Sequence, residues 1–108
     1  MTLTRSFKET VRARAVKDAA FRAALLKEGV EAFLSGDIET GKAVLRDYIN
    51  ATVGFEKLGE MTGASPKSLM RMFSSTGNPQ ASNLFNVISE LQRAEKLALE
   101  VRPTRVRA

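Results

Sequence analysis

Two side chains of this 108-residue chain suited to hydrogen bonding at a surface lie close together, at Lys67 and Arg71. A guanidinium fork matches the O6 and N7 edge of a guanine, and an ammonium reaches a guanine or a phosphate. Lys67 and Arg71 are four apart, so a helix carries them on one face; Leu69 and Met72, three apart, fall on the opposite one. No acidic residue occurs between Glu60 and Glu90, although the rest of the chain is acid-rich. A basic outward face without nearby carboxylates suits a polyanion.

These residues need a frame, and residues 55–74, FEKLGEMTGASPKSLMRMFS, read as helix, tight turn and helix. Leu58 is expected inward on the first helix, with Leu69 and Met72 inward on the second. Gly59 falls where two steeply crossing helices need a side chain no larger than a methyl group, and Gly63 follows the last turn, where a left-handed residue stops a helix at low cost. Ser65 can then accept a bond from a free amide of a new helix, and Pro66 fits its first position, where a missing N–H costs nothing. Such a layout is that of a DNA-binding helix-turn-helix, and on spacing alone also that of an ordinary helical hairpin.

The supporting elements read as helices too. Residues 1–17 form a basic helix or arm with Phe7, Val11 and Ala15 at fourfold spacing. Residues 18–54 supply two supporting helices: Phe21, Leu25, Val30, Phe33 and Leu34 are expected inward on the first. Ile38, Gly41, Leu45, Tyr48, Ile49 and Thr52 are expected inward on the second, with Asp37 as its cap. After a polar turn at Thr76, Gly77, Asn78, Pro79 and Gln80, residues 81–93 brace the motif through Leu84, Val87, Ile88 and Leu91. Residues 94–108 are left open. Leu97, Leu99 and Val101 alternate as in a strand, which would need a partner strand from a second copy or another protein, yet residues 93–100 also continue the helix without strain. The expected fold is all-α, a compact single domain of five to six helices with one short C-terminal strand as an option.

Composition bounds the function. With no cysteine and no histidine, thiolate chemistry, disulfides and the commonest general base and metal ligand are excluded. The acidic pairs Glu28 and Glu31, or Asp37 and Glu39, sit on helix faces or caps, and no nucleophile stands beside a base; an enzyme, a cofactor and a metal site are not expected. No apolar run approaches the roughly 20 residues that cross a bilayer, and the N-terminus lacks a signal-peptide pattern, which points to the cytoplasm and to no membrane partner. The net charge of +5 is carried by the ends. Arg5, Lys8, Arg12, Arg14 and Lys17 stand against Glu9, and Arg102, Arg105 and Arg107 stand alone, whereas residues 18–100 hold nine basic and eleven acidic side chains. Basic ends are either solvated tails or phosphate contacts.

From residue 54 to 91, GFEKLGEMTGASPKSLMRMFSSTGNPQASNLFNVISEL resembles the lambda-repressor-like (Cro-type) helix-turn-helix, and more narrowly the addiction-module antidote proteins, the antitoxins of small toxin–antitoxin operons. The GNP-type loop and the SNLFNVISEL helix carry the narrower likeness, and residues 18–49 resemble the family's N-terminal helices. The resemblance implies that Leu58, Gly59, Gly63, Leu69 and Met72 pack the motif and that Lys67, Ser68 and Arg71 touch bases. It further implies that Gly54, Ser65, Ser75, Thr76 and Asn78 lie where phosphates are met. Two departures stand out. Pro66 replaces a polar base-contacting side chain of many relatives, and Phe73-Ser74 replaces a common Glu-Asn pair.

The implied function is sequence-specific repression. A homodimer would occupy a pseudo-palindromic double-stranded operator with half-sites about one helical turn apart, and a small RelE/ParE-like protein toxin would be the second partner. Residues 5–14 and 97–101 are its candidate contact surfaces. The alternative from another class is a protein-interaction module that keeps the fold without reading DNA, with Met61, Met70, Met72 and Phe73 as an adaptable apolar surface.

Overall fold

The computed structural model describes the backbone of residues 5–107 and the side chains of residues 9–107. The expectation for Phe7 and the cations of Arg5 and Lys8 therefore lie outside the described residues. Among the described residues the fold is all-α, with six helices: α1 (Arg5–Lys17), α2 (Ala19–Leu34), α3 (Ile38–Ala51), α4 (Gly54–Thr62), α5 (Pro66–Met72) and α6 (Ala81–Glu95). None is long and apolar enough to cross a membrane.

Short polar residues start the supporting helices. The Asp18 carboxylate accepts from the Phe21 amide at 3.1 Å, and the Asp37 carboxylate accepts from Thr40 at 3.2 Å, each occupying one of the amides that a helix start leaves without a partner. Across the α2–α3 pair, Leu45 fills the space over Gly29 and Phe33 fills the space over Gly41, so each helix presses a side chain into the other's backbone. The buried core then runs from Leu26, Leu45 and Ile49 through Leu58, Leu69 and Phe73 to α6. On α6 the expected face is the observed one: Leu84, Val87, Ile88 and Leu91 are all buried.

Two expectations are corrected, and the choice left open at residues 94–108 is settled. The inward line of α2 centres on Leu26 and Gly29, with Leu25, Val30 and Phe33 flanking it, while Leu34 is 62% exposed. Ile38 is exposed as well; both residues border the open connection at residues 35–37. No strand forms among the described residues, and the α6 helix does not continue to residue 100. Lys96 adopts a left-handed φ of 58°, after which the Leu97 amide donates to the Gln92 carbonyl (3.1 Å) and the Leu99 amide to Gln92 Oε1 (2.7 Å). Leu97 and Leu99 thereby pack on the core.

One polar network ties four helices together. Arg22 of α2 donates through Nη1 to the Ala15 carbonyl at the end of α1 (2.9 Å) and through Nε to the Glu95 carboxylate on α6 (3.0 Å), which also accepts from Tyr48 Oη of α3 (2.8 Å). Burial pushes the Tyr48 phenol well above the usual tyrosine range; the hydrogen bond to Glu95 and its charge add to the shift, and the Arg22 charge opposes it.

Candidate nucleic-acid interface

The turn between α4 and α5 is built as its sequence demands. Gly63 takes a φ of +80°, open to glycine at little cost, and its amide closes on the Gly59 carbonyl at 2.8 Å. A Cβ at Gly59 would stand 2.8 Å from the Ala64 carbonyl oxygen, so even the methyl group allowed from sequence does not fit. The closest approach comes from the folded-back turn, and the Pro66 ring at the start of α5 follows at 3.3 Å. Ser65 Oγ accepts from the Ser68 amide at 3.1 Å and donates to Ser68 Oγ at 2.9 Å, with Pro66 in the first turn of α5.

The far end of α5 is held from α3. Phe73 is fully buried against Phe55, and its carbonyl accepts from Arg46 Nη1 at 3.1 Å. One helical turn away Lys42, only 2% exposed, donates through Nζ to the carbonyls of Gly77 (2.8 Å) and Ser75 (3.3 Å) and pairs with the Glu39 carboxylate at 3.0 Å. Gly77 is obligatory for this arrangement, because a Cβ there would collide with the Arg71 carbonyl. Thus α5 and its following loop are clamped at both ends: a serine cap in front, two α3 cations behind. Phe73 belongs to the core and not to an apolar docking surface, which corrects one member of the methionine-rich set.

Of the candidate contact residues, Ser68, Arg71, Thr76 and Asn78 converge around one depression beside α5. An adjoining groove, also lined by Ser68, Arg71 and Asn78, extends to Gln80 and to Asn83 and Asn86 of α6. Lys67 is exposed on α5 outside both; Ser65 is engaged as the cap; Ser75 turns its carbonyl to Lys42; Gly54 opens α4 with a φ of +79°. Sequence reasoning missed Gln80, Asn83 and Asn86. Their signal was present: amide residues on one side of the bracing helix within the acid-free run. Each amide offers two donors and an acceptor, the set that matches adenine N6 and N7. Also missed were Lys42 and Arg46, whose fourfold spacing on α3 was the available clue.

Among the described residues, neither the Lys67 ammonium nor the Arg71 guanidinium makes a hydrogen bond or ion pair within the chain. The groove that Arg71 borders has no carboxylate in its lining. Its chemistry is that of a surface with free cationic donors beside two-way amide donors and acceptors, on a backbone fixed from below. Comparison with known proteins gives no match to a family model, to a curated protein or to a solved structure.

Proposed function

We propose that this chain is a sequence-specific DNA-binding repressor whose α5 enters the major groove. The observation that carries the reading is the unpaired Arg71 beside an acid-free, amide-lined groove on a helix whose two ends are fixed. In this reading Arg71 pairs with a guanine, Ser68 and Lys67 read or flank it, and the 75–78 loop meets the phosphate backbone. A single copy offers few base contacts, so a homodimer on a pseudo-palindromic operator follows. The narrower role, an antitoxin that neutralises a RelE/ParE-like toxin and represses its own operon, is supported by the resemblance of residues 18–91 to addiction-module antidotes.

Fluorescence anisotropy with DNA from upstream of the chain's own gene, against scrambled DNA over a range of salt, tests it. Arg71→Ala should weaken binding to the native fragment by about tenfold or more, as expected for one bidentate base pair worth about 1–3 kcal/mol, and leave scrambled DNA nearly unaffected. Equal affinity for both fragments, insensitive to Arg71→Ala, would sink the reading. The exposed apolar side chains Met70 and Phe85 would then make a protein partner the stronger reading. Apolar contact should survive salt that abolishes phosphate-driven binding.

A further inference from the structure

Among the described residues, the segment after α6 has a backbone edge with nothing paired to it. Its alternate amides, at Leu97 and Leu99, both turn inward to Gln92. Carried on at the period of two that an extended chain imposes, this alternation turns the amides and carbonyls of residues 98, 100, 102 and 104 outward. None of these outward amides has a backbone partner among the described residues. Between this edge and α2 runs a groove lined by Lys27, Val30, Glu31 and Leu34, and at its side Val101 is 81% exposed.

We propose that this edge pairs antiparallel with the same segment of a second copy, in the register centred on Val101. The sequence is self-complementary about that residue. Glu100 falls opposite Arg102 of the second copy, and Arg102 opposite its Glu100, giving two opposed charge pairs on hydrogen-bonding positions. Ala98 falls opposite Thr104, and Val101 meets its own copy, covering an apolar side chain left largely open among the described residues. Pro103 has no N–H to give, and in this register its nitrogen lies on the inward edge, where the second strand asks nothing of it. Shifting the centre by one residue sets Glu100 against Glu100 or Arg102 against Arg102, so charge selects the register. The added strand lies along the groove beside α2, which accounts for the exposure of Leu34.

The inference rests on the repressor reading only for its use, since a dimer is what a two-fold operator requires; the pairing itself is tested without DNA. Sedimentation of the full chain should show a dimer. Glu100→Arg and Arg102→Glu, each placing like charges opposite one another twice, should raise the dimer dissociation constant at least tenfold, and the double variant should recover to within a few-fold of wild type. The chain has no cysteine, so single thiols report the register directly. Val101→Cys should form an intermolecular disulfide on mild oxidation, because a non-hydrogen-bonded antiparallel pair holds Cα atoms about 4.5 Å apart, within disulfide reach. Val106→Cys, at an equally open site, should not, since the two copies of residue 106 lie roughly 30 Å apart at about 3.3 Å per residue.

A monomer at all concentrations, cross-linking of Val106→Cys as readily as Val101→Cys, or a double variant no tighter than the single ones would overturn the pairing. Operator binding separates the two ideas. A dimer with these properties that does not prefer its operator leaves the pairing standing and removes the repressor reading; an operator-specific protein that remains monomeric does the reverse.

Discussion

Two clusters in this molecule use the same device, a cation from a supporting helix donating to main-chain carbonyls at the end of another, and they differ in how the charge is balanced. Arg22 donates to Ala15 and Val16 at the end of α1 and is neutralised by Glu95, whose side chain is only 11% exposed and is itself held by Tyr48. Lys42 donates to Ser75 and Gly77 beyond the end of α5, and its carboxylate partner, Glu39, stands 69% exposed at the surface. The first cluster is closed on itself and belongs to the stability of four helices. The second leaves its positive charge beside the loop that follows α5, and it fixes the segment that carries Arg71, Thr76 and Asn78. The network serving the fold is balanced by an inward carboxylate, whereas the one beneath the candidate interface is balanced by a carboxylate at the surface, and under the proposed DNA-binding reading its charge would be the one nearer a phosphate.

The sharpest way to break the comparison is at Glu95. Glu95→Ala strands Arg22 and the Tyr48 hydroxyl together, and the loss should be about 3 kcal/mol of folding stability, toward the low end for a pair broken inside a protein because Arg22 keeps some solvent. Urea unfolding should show the midpoint falling, while DNA affinity under folding conditions stays within about twofold of wild type. A large drop in affinity at unchanged stability would mean that the two clusters are not separable. Lys42→Met should behave in the opposite sense. Its stem is replaced at similar volume, so stability should fall by only about 1–2 kcal/mol for the carbonyls left without a donor. The loop at residues 75–78 then loses its anchor and the nearby charge, and DNA affinity should fall about tenfold, more than for Glu95→Ala. An affinity unchanged in Lys42→Met would show that the loop takes no part.

What was legible from sequence follows the range of the interactions. The stop at Gly63, the serine cap, Pro66 and the inward face of α6 are set within a few residues, and each is found as read. Leu34 failed because helical periodicity reports a stripe and not its length; nothing in residues 19–34 says that the core ends one turn early. Phe73 failed for a related reason, since its burial depends on Phe55 across the turn. The open strand-or-helix choice at residues 94–108 was settled by one tertiary contact, Gln92 receiving the Leu99 amide, that no local pattern announces. In the candidate interface, Arg71 was singled out by type and spacing and Ser68, Thr76 and Asn78 by the resemblance, and all four line one depression. Lys42 and Arg46 were not singled out, because a lysine on a helix reads as solvated until the carbonyls beneath it are known. The three amides, Gln80, Asn83 and Asn86, fell between these cases: polar and exposed in any reading, they gain meaning only when α6 lies beside α5.

The smallest expected effect is the one with the most specific signature. Tyr48→Phe removes one hydrogen bond to Glu95 and leaves the ring in place, so below pH 10 it should cost about 1 kcal/mol. The phenol is held neutral in the folded protein, its ionisation raised above the ordinary tyrosine value of about 10, while in the unfolded chain it ionises there. Its contribution is therefore complete below about pH 10 and is lost as the pH rises beyond it, because only the unfolded state releases the proton. At about pH 11 the wild type has given up roughly 1.4 kcal/mol through this one group, and Tyr48→Phe has given up none by this route. The two stability curves, measured by urea unfolding at a series of pH values, should converge above pH 10 and cross near pH 11. Parallel curves would mean that the Arg22–Glu95–Tyr48 cluster is open to water, and the contrast between a sealed network and a charged one would fall with it.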